Sequence, residues 1–332
     1  MKLGIFNDLK KRIVIMGRVK IMNKRMKIGL PRAFLYFKYK WLWNVFFTEL
    51  GCDIVVSPET NKQILKDGVD NSIDESCLSS KIYMGHVYNL IDKVDYILIP
   101  RIVSFGKDEV VCTKFNAMYD IVNNTYKNVK ILDYNIDVNN KQTELKAFMK
   151  MGKVIKKDAI AVFKAYKKAK QVQAEKEIEK TKQQDEEIKS TNKLKILIVS
   201  HSYNIHDRLI GYPIIKYLEQ LDSLPIYADV ADKNMTSEKS KMISEGLYWT
   251  YNKELIGAIE HYIDQIDGVI FITTFPCGPD SLVNELCLRK IKGIPMATII
   301  LDELQGEAGL HTRIESFIDI IREKKRVGII SD

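Results

Sequence analysis

Val94-Asp95-Tyr96-Ile97-Leu98-Ile99 and, 172 residues later, Ile266-Asp267-Gly268-Val269-Ile270-Phe271 follow one pattern. Each opens on an apolar residue and an aspartate and continues as an apolar run. Short apolar runs bounded by polar turn residues read as buried strands. Each run leads toward a cysteine, Cys112 in the first case and Cys277 in the second. Working outward, a strand, a polar loop, a helix and a strand begin at Met26 and begin again at Leu194, with the offset staying at roughly 165 to 172 residues. Strands that alternate with helices form parallel sheets, so the expected fold class is α/β, built as a duplicated domain.

The intervening chain fills in that outline. Strands are expected at Met26–Leu30, Cys52–Ser57, Asp95–Ile99 (closed by Pro100-Arg101) and Lys130–Tyr134. Helical spacing runs from Phe34 to Leu50, where Gly51 ends it, from Ser79 to Asp92, and from Lys141 to Tyr166. From Lys167 to Lys193 apolar residues thin out and Lys, Glu and Gln dominate, as in a solvated helix or linker. Strands follow at Leu194–Ser200, Pro225–Ala228, Gly268–Thr273 and Met296–Leu301, with helices at Pro213–Leu221, Leu255–Ile266, Pro279–Ile291 and Thr312–Glu323. The expected division is a disordered basic extension over 1–25, an N-terminal α/β domain over 26–140, a charged helical linker over 141–193 and a C-terminal α/β domain over 194–330.

Charge is concentrated in that extension. Residues 1–25 hold eight basic side chains against Asp8 alone, so most of the formal net charge of +8 resides there. The extension has Phe6 as its single aromatic and no alternation of basic and aromatic residues, so a nucleic-acid partner is not expected. It reads as a disordered segment, or as sequence upstream of a start at Met22 or Met26. Its apolar stretch Ile13–Met16 is too short for a secretory signal. No run of about 18 apolar residues occurs, so no membrane span is expected. An odd number of cysteines, five, spread over 332 residues points to a reducing, cytoplasmic setting and not to a disulfide framework.

Three of the five cysteines share a position just before a helical pattern: Cys77, Cys112 and Cys277. There the free backbone N–H groups and the helix dipole favour a thiolate. Three such loops suggest one ligand that takes three sulfurs. The spacing is wide, 35 residues and then 165, and no pair forms CxxC, which excludes a zinc ribbon and a ferredoxin run. Ordinary buried thiols are the alternative. Cys52 on a buried strand and Cys287 on the inner face of a helix read as core. Lys81, Arg101, Lys114 and Arg313 are candidates to balance an anionic ligand, against plain solvated surface. His201 and His206 follow a strand, His86 lies within the helix after Cys77, and His261 reads as exposed. Asp302-Glu303, with Gly306, Gly309 and His311 beyond, reads either as a ligand-facing loop or as a plain turn. The motifs G-x-G-x-x-G, G-x-x-x-x-G-K-[ST] and G-x-S-x-G are absent, so a dinucleotide fingerprint, ATP hydrolysis at a P-loop and a serine nucleophile elbow are not expected.

Seven stretches together resemble a known family: Met26–Tyr39 (MKIGLPRAFLYFKY), Asp74–His86 (DESCLSSKIYMGH), Tyr96–Arg101 (YILIPR), Cys112–Phe115 (CTKF), Ser200–Asp207 (SHSYNIHD), Phe275–Leu282 (FPCGPDSL) and Leu301–Phe317 (LDELQGEAGLHTRIESF). The chain is similar to the 2-hydroxyacyl-CoA dehydratase and benzoyl-CoA reductase superfamily, and most of all to its stand-alone, activase-related branch. The resemblance implies two Rossmann-like domains with a 4Fe-4S cluster held between them by Cys77, Cys112 and Cys277. It also implies a separate ATP-dependent activase as electron donor, an acyl-CoA substrate, dehydration or reduction as the reaction, and a homo- or heterodimer. With such a cluster, Lys81, Arg101 and Lys114 are expected to balance its negative charge, and Gly278 is a further candidate to contact it. The chain departs from the family at His201-Ser202-Tyr203, where His-Pro-Tyr is common, and at Asp302-Glu303-Leu304-Gln305, where Asp-Glu-His-Thr is common. Two further readings stay open: a non-catalytic electron carrier or accessory subunit, and a two-domain small-molecule binder whose cysteines are incidental.

Overall fold

The computed structural model describes residues 25–304 and 307–328. Expectations for the basic extension before Arg25, and for Gly306, lie outside the described residues. The first half runs β1 (Lys27–Leu30), α1 (Tyr36–Glu49), β2 (Asp53–Val56), α2 (Lys62–Asp70), α3 (Leu78–Leu90), β3 (Tyr96–Gly106), β4 (Glu109–Val110), α4 (Thr113–Thr125) and β5 (Ile131–Asp137). Two helices follow, α5 (Glu144–Val154) and α6 (Ala159–Ser190). The second half is β6 (Leu194–Val199), α7 (Ser202–Ile205), α8 (Gly211–Gln220), β7 (Ser223–Tyr227), α9 (Lys233–Ile243), α10 (Thr250–Tyr262), β8 (Gly268–Thr274), α11 (Gly278–Lys290), β9 (Met296–Leu301) and α12 (Glu307–Arg326).

The duplication is visible in the strand order. The parallel strands of the first sheet lie β2-β1-β3-β5, and those of the second lie β7-β6-β8-β9. In both, the first strand of the half sits between the second and the third. Central strands of a parallel sheet are covered by helices on both faces and therefore carry apolar residues throughout. Every residue of β8 is buried, which explains why its sequence shows no alternation.

Three local expectations need correction. Strand β3 does not close at Pro100 but runs on to Gly106. Its pairing with β5 continues past Pro100 to Ser104, with a register shift after Ile102, whereas its pairing with β1 ends at Ile97. The proline, which has no N–H, thus lies where one side of the strand has no partner to satisfy. The helical spacing over 141–166 is split, because the chain turns at Lys156 with a φ of 58° before α6 begins at the Asp158 cap. The helix α9 was not expected, since Lys233–Ile243 is mostly polar.

The charged segment 167–193 lies largely within α6, a helix of 32 residues. One stripe of that helix is buried: Val162, Ala165, Ala169, Gln173, Gln184 and Ile188. Gln173 accepts from the Leu42 N–H at 3.1 Å and donates to the Lys38 carbonyl at 2.9 Å, so the helix docks on α1. Gln184 does the same for the second half, accepting from the Tyr227 N–H at 2.8 Å. The segment therefore packs against both halves through glutamines, which hydropathy reads as solvated.

Helix α3 is one of the elements on which the halves meet. Nearly every residue of it is buried, including Ser79, Ser80, Lys81 and His86. Close approach depends on glycine. A Cβ on Gly85 would stand 1.9 Å from the Ile64 carbonyl oxygen, and one on Gly68 2.0 Å from that of Lys81. Three polar side chains on α3 and its contacts find partners. Lys81 meets Glu303 at 2.6 Å. His86 bonds Ser57 Oγ at 2.8 Å and Thr60 Oγ1 at 3.0 Å, and Thr60 donates to Asp207 of the second half. No helix among the described residues is long and apolar enough to cross a membrane.

Two predictions follow from this packing. Gly85→Ala should lower the denaturant midpoint, at a cost of about 1–3 kcal/mol or more, because the clash is with backbone that cannot rotate away. A change within ~0.5 kcal/mol would contradict the close contact. The second concerns pH. Burial raises Asp207 from 3.8 to about 6 despite the Thr60 bond, and burial lowers His86 from 6.5 to about 3. A raised carboxylate contributes stability that is present below the unfolded value and lost as pH rises through 6. The depressed histidine makes stability rise with pH from about 3 to 6.5. The two slopes oppose each other between pH 4 and 6. Asp207→Asn should therefore expose a positive slope of up to about 1.4 kcal/mol per pH unit, measured by urea unfolding across that window.

Candidate functional site

Cys77, Cys112 and Cys277 are each the residue immediately before a helix, respectively α3, α4 and α11. All three line one cavity, which encloses about 460 Å³ of space free of atoms, some of it continuous with solvent. Backbone contacts between the halves set their positions. Leu78 N–H, next to Cys77, donates to the Phe275 carbonyl at 3.0 Å, and Val110 N–H, two residues before Cys112, donates to the Tyr248 carbonyl at 3.0 Å. The Cys77 loop is thus tied to the Cys277 loop, and the Cys112 loop to the segment that leads into α10. Side chains reinforce the first tie: Ser79 Oγ donates to Asn204 Oδ1 at 2.7 Å and lies 3.0 Å from Thr274 Oγ1.

All five cysteines are free thiols. Cys77, Cys112 and Cys277 are half-buried, while Cys52 and Cys287 are buried in the core, as their sequence context indicated. The expectation that the helix ends would favour thiolates is overturned by burial. It pushes all three cavity thiols above their usual value, although the N–H groups of Ser80, Lys114 and Asp280 pull the other way. For Cys277 the Asp280 carboxylate adds to the rise. Burial is therefore the larger effect over the N–H hydrogen bonds, and the sulfurs would ionise together only beside a positive charge.

Asp280 is the buried charge of the site. It accepts from His201 Nε2 at 3.0 Å, Asn252 Nδ2 at 2.9 Å and Thr273 Oγ1 at 3.3 Å. Burial alone would raise its pKa, but the His201 ring and these bonds hold it at about 2. His201 in turn stacks on Tyr203, with centroids 5.0 Å apart. Aromatic rings close the remaining wall: Phe34, Phe115, Tyr203, Trp249 and Tyr251.

Of the proposed cationic neighbours, Lys114 lines the cavity and donates to Ser76 Oγ at 3.3 Å. Gly278 follows Cys277 directly as the first residue of α11, and nothing lies within 4 Å of where its Cβ would be. Lys81 and Arg101 do not line the cavity. Lys81 is engaged by Glu303, and Arg101 pairs with Asp120 at 2.8 Å and lies over the Tyr119 ring. Arg313 donates to the Thr298 carbonyl at 2.9 Å. Among the histidines, His201 alone lines the cavity. His86 is sequestered with Ser57 and Thr60. His206 lies beside the Phe37 and Tyr227 rings. His311 stacks on Tyr217, and His261 is half-buried rather than exposed.

The sequence reading missed Asp280, Asn252, Trp249 and Tyr251 as site residues. Asp280 carried a signal, an acid in the first turn of a helix that starts at a cysteine. Asn252, Trp249 and Tyr251 carried none, because the contact of Val110 with Trp249 that brings them in joins distant parts of the chain.

Among the described residues, no three His, Cys, Asp or Glu side chains close on a single ion, so a mononuclear site is not formed. A cubane cluster takes one thiolate per iron. Three separated sulfurs around one cavity, each beside free helix-end N–H groups, are compatible with it.

Fold and cavity together define an α/β protein of two parallel sheets with a three-cysteine pocket at their junction. Residues 27–231 match the family described as the CoA enzyme activase uncharacterised domain, and the chain belongs to that family. No curated protein matches the chain. Two solved structures align with 90% of this chain and 98% of their own, each at 10% identity. They are a crystal structure of ZnuA, with a TM-score of 0.25, and the Zn(II)-bound ZnuA-like domain of AdcA from Streptococcus pneumoniae, with a TM-score of 0.24. Likenesses at that level carry no argument about this chain.

Asp280→Ala should destabilise the protein by about 3–5 kcal/mol, because it strips the acceptor from the buried His201 and Asn252 side chains. Asp280→Asn should cost less. Guanidinium unfolding of the two variants checks the order, and equal losses would contradict a charge-based role for the carboxylate.

Proposed function

We propose that this chain is an iron–sulfur protein that holds a 4Fe-4S cluster on Cys77, Cys112 and Cys277. In this reading it accepts a low-potential electron from a separate ATP-dependent activase. The observation that carries the reading is the convergence of three free helix-end cysteines, from loops far apart in sequence, on one cavity. Membership of a family connected with CoA enzyme activases supports the activase as partner. It also supports a CoA-thioester substrate, dehydrated or reduced.

Cys77, Cys112 and Cys277 would hold the cluster, which would supply one-electron chemistry. The chain's own residues then have defined tasks. The N–H groups at the starts of α3, α4 and α11 stabilise charge on the sulfurs, which raises the ease of reduction. Lys114 adds positive charge at the cavity wall. Asp280, fixed by His201 and Asn252, sets the local field and keeps Tyr203 in place through the His201 ring. The aromatic wall limits water. Phe275, Pro276 and Gly278 are exposed beside Cys277 and give an electron donor a short approach.

The test is anaerobic purification with iron, sulfide and absorption measurements. About four irons and four sulfides per chain are expected, with visible absorption that Cys112→Ser diminishes sharply. A colourless, metal-free protein that is nonetheless stably folded would sink the reading. Adding the activase with ATP should then bleach the absorption, and no bleaching would leave the cluster without this electron source.

A further inference from the structure

Beside the cysteine cavity lies a second one. Its walls include Leu30, Phe34, Trp43, Tyr83, Leu98 and Phe115, and it spans about 320 Å³ of space free of atoms, part of it continuous with solvent. Phe34 and Phe115 also line the cysteine cavity, so the two spaces share an aromatic wall. No carboxylate, histidine, lysine or arginine lines the second one.

Two hydrogen-bond donors are out of place in these apolar surroundings. Trp43 is 2% exposed and Tyr83 3%. Neither the Trp43 Nε1 nor the Tyr83 hydroxyl has a partner among the described residues. An unpaired buried donor costs about 1–3 kcal/mol, and buried Trp and Tyr are normally placed where the polar atom reaches an acceptor. Phenylalanine would fill either position without that cost. Burial also pushes the Tyr83 phenol well above its ordinary value, so it keeps its proton and remains a donor.

The shared wall is strained as well. Phe34 has a φ of 46°, in the left-handed region that bulky side chains rarely adopt, at a cost of about 1–3 kcal/mol. Its ring stacks on Tyr83 at 5.1 Å and meets Phe115 and Tyr203 edge-on, each at 5.2 Å. The strained residue thus lies on the partition between the two cavities, stacked on one of the two unpaired donors.

We propose that this second cavity is a binding subsite for a small, uncharged, largely apolar carbonyl compound, whose oxygen accepts from Trp43 and Tyr83 and which enters past Phe34. The chemistry of the walls selects that class. A charged ligand would be buried without compensation. A ligand without an acceptor would leave both donors unpaired. A carbonyl oxygen has two lone pairs and can take both bonds. As Phe34 stands, little more than a water fits, so any larger occupant requires its ring to swing. That such a compound is the substrate, or the apolar end of one, rests on the proposed function; the binding itself does not.

The test uses cyclohexanone as the probe, titrated into the whole protein with and without bound iron and followed by ligand-observed NMR. Binding should tighten in Phe34→Gly, which removes the ring and suits the positive φ. Tyr83→Phe should weaken cyclohexanone roughly fivefold to tenfold, the loss of one hydrogen bond. The same change should leave methylenecyclohexane, which has no oxygen, unaffected. Without ligand, Tyr83→Phe should unfold at the same temperature as the parent or higher. If Phe34→Gly does not fold, the comparison of the parent with Tyr83→Phe still decides. Equal cyclohexanone affinity in those two would overturn the subsite. So would absence of binding in both the parent and a folded Phe34→Gly, which would make the cavity a buried-water site only. Iron content read on the same samples separates the two claims. A protein that binds iron but not the ketone loses the subsite alone, and one that binds the ketone but no iron loses the cluster alone.

Discussion

The burial of α3 on all sides is the constraint from which the site follows. A helix enclosed by other elements must match each of them. It gives up side-chain bulk at Gly85 and Ser80, partners its lysine with Glu303 and its histidine with Ser57 and Thr60, and offers Ser79 to the second half. Its first residue follows directly on Cys77. The same contacts that satisfy the helix therefore fix where that sulfur stands relative to Cys277, through the Leu78–Phe275 backbone bond. Position of the thiol is a by-product of packing, and it needs no separate restraint.

The duplicated fold accounts for the other two sulfurs. Ligand sites in open α/β sheets lie beyond the carboxyl ends of the strands. Cys277 follows β8, and Cys112 follows the hairpin of β3 with the antiparallel β4, β3 and β8 being the equivalent third strands of the two sheets. Facing the two sheets brings those ends together. Cys77 has no cysteine counterpart in the second half, and His201, which orients Asp280, comes from the loop after β6 instead. The cavity is therefore asymmetric, with sulfur from α3 on one side and a buried His–Asp pair on the other.

Much of this was legible in the residues. The paired apolar runs ending in cysteine-bearing loops gave the two sheets, and the helix-start position of Cys77, Cys112 and Cys277 singled them out from Cys52 and Cys287. What stayed hidden depended on partners remote in sequence. Lys81 looked like a free cation beside the cluster, yet Glu303 engages it. Arg101 was read at a strand end, but β3 runs on past it and the side chain lies over Tyr119. The glutamines of α6 looked solvated because hydropathy does not register an amide that bonds backbone on both halves. The thiols themselves followed the helix end in sequence terms, whereas burial, which depends on the whole cavity, outweighs its N–H hydrogen bonds.

The central claim is that three cysteines on separate loops act as one ligand set. Differential alkylation under anaerobic conditions, read by peptide mass spectrometry, tests it most directly. The account predicts that Cys77, Cys112 and Cys277 are protected together in the protein as isolated. They should become labelled together once iron is removed by oxidation and chelation, with Cys52 and Cys287 remaining unreactive throughout. Labelling of any one of the three while the other two stay protected, or equal labelling before and after iron removal, would contradict it.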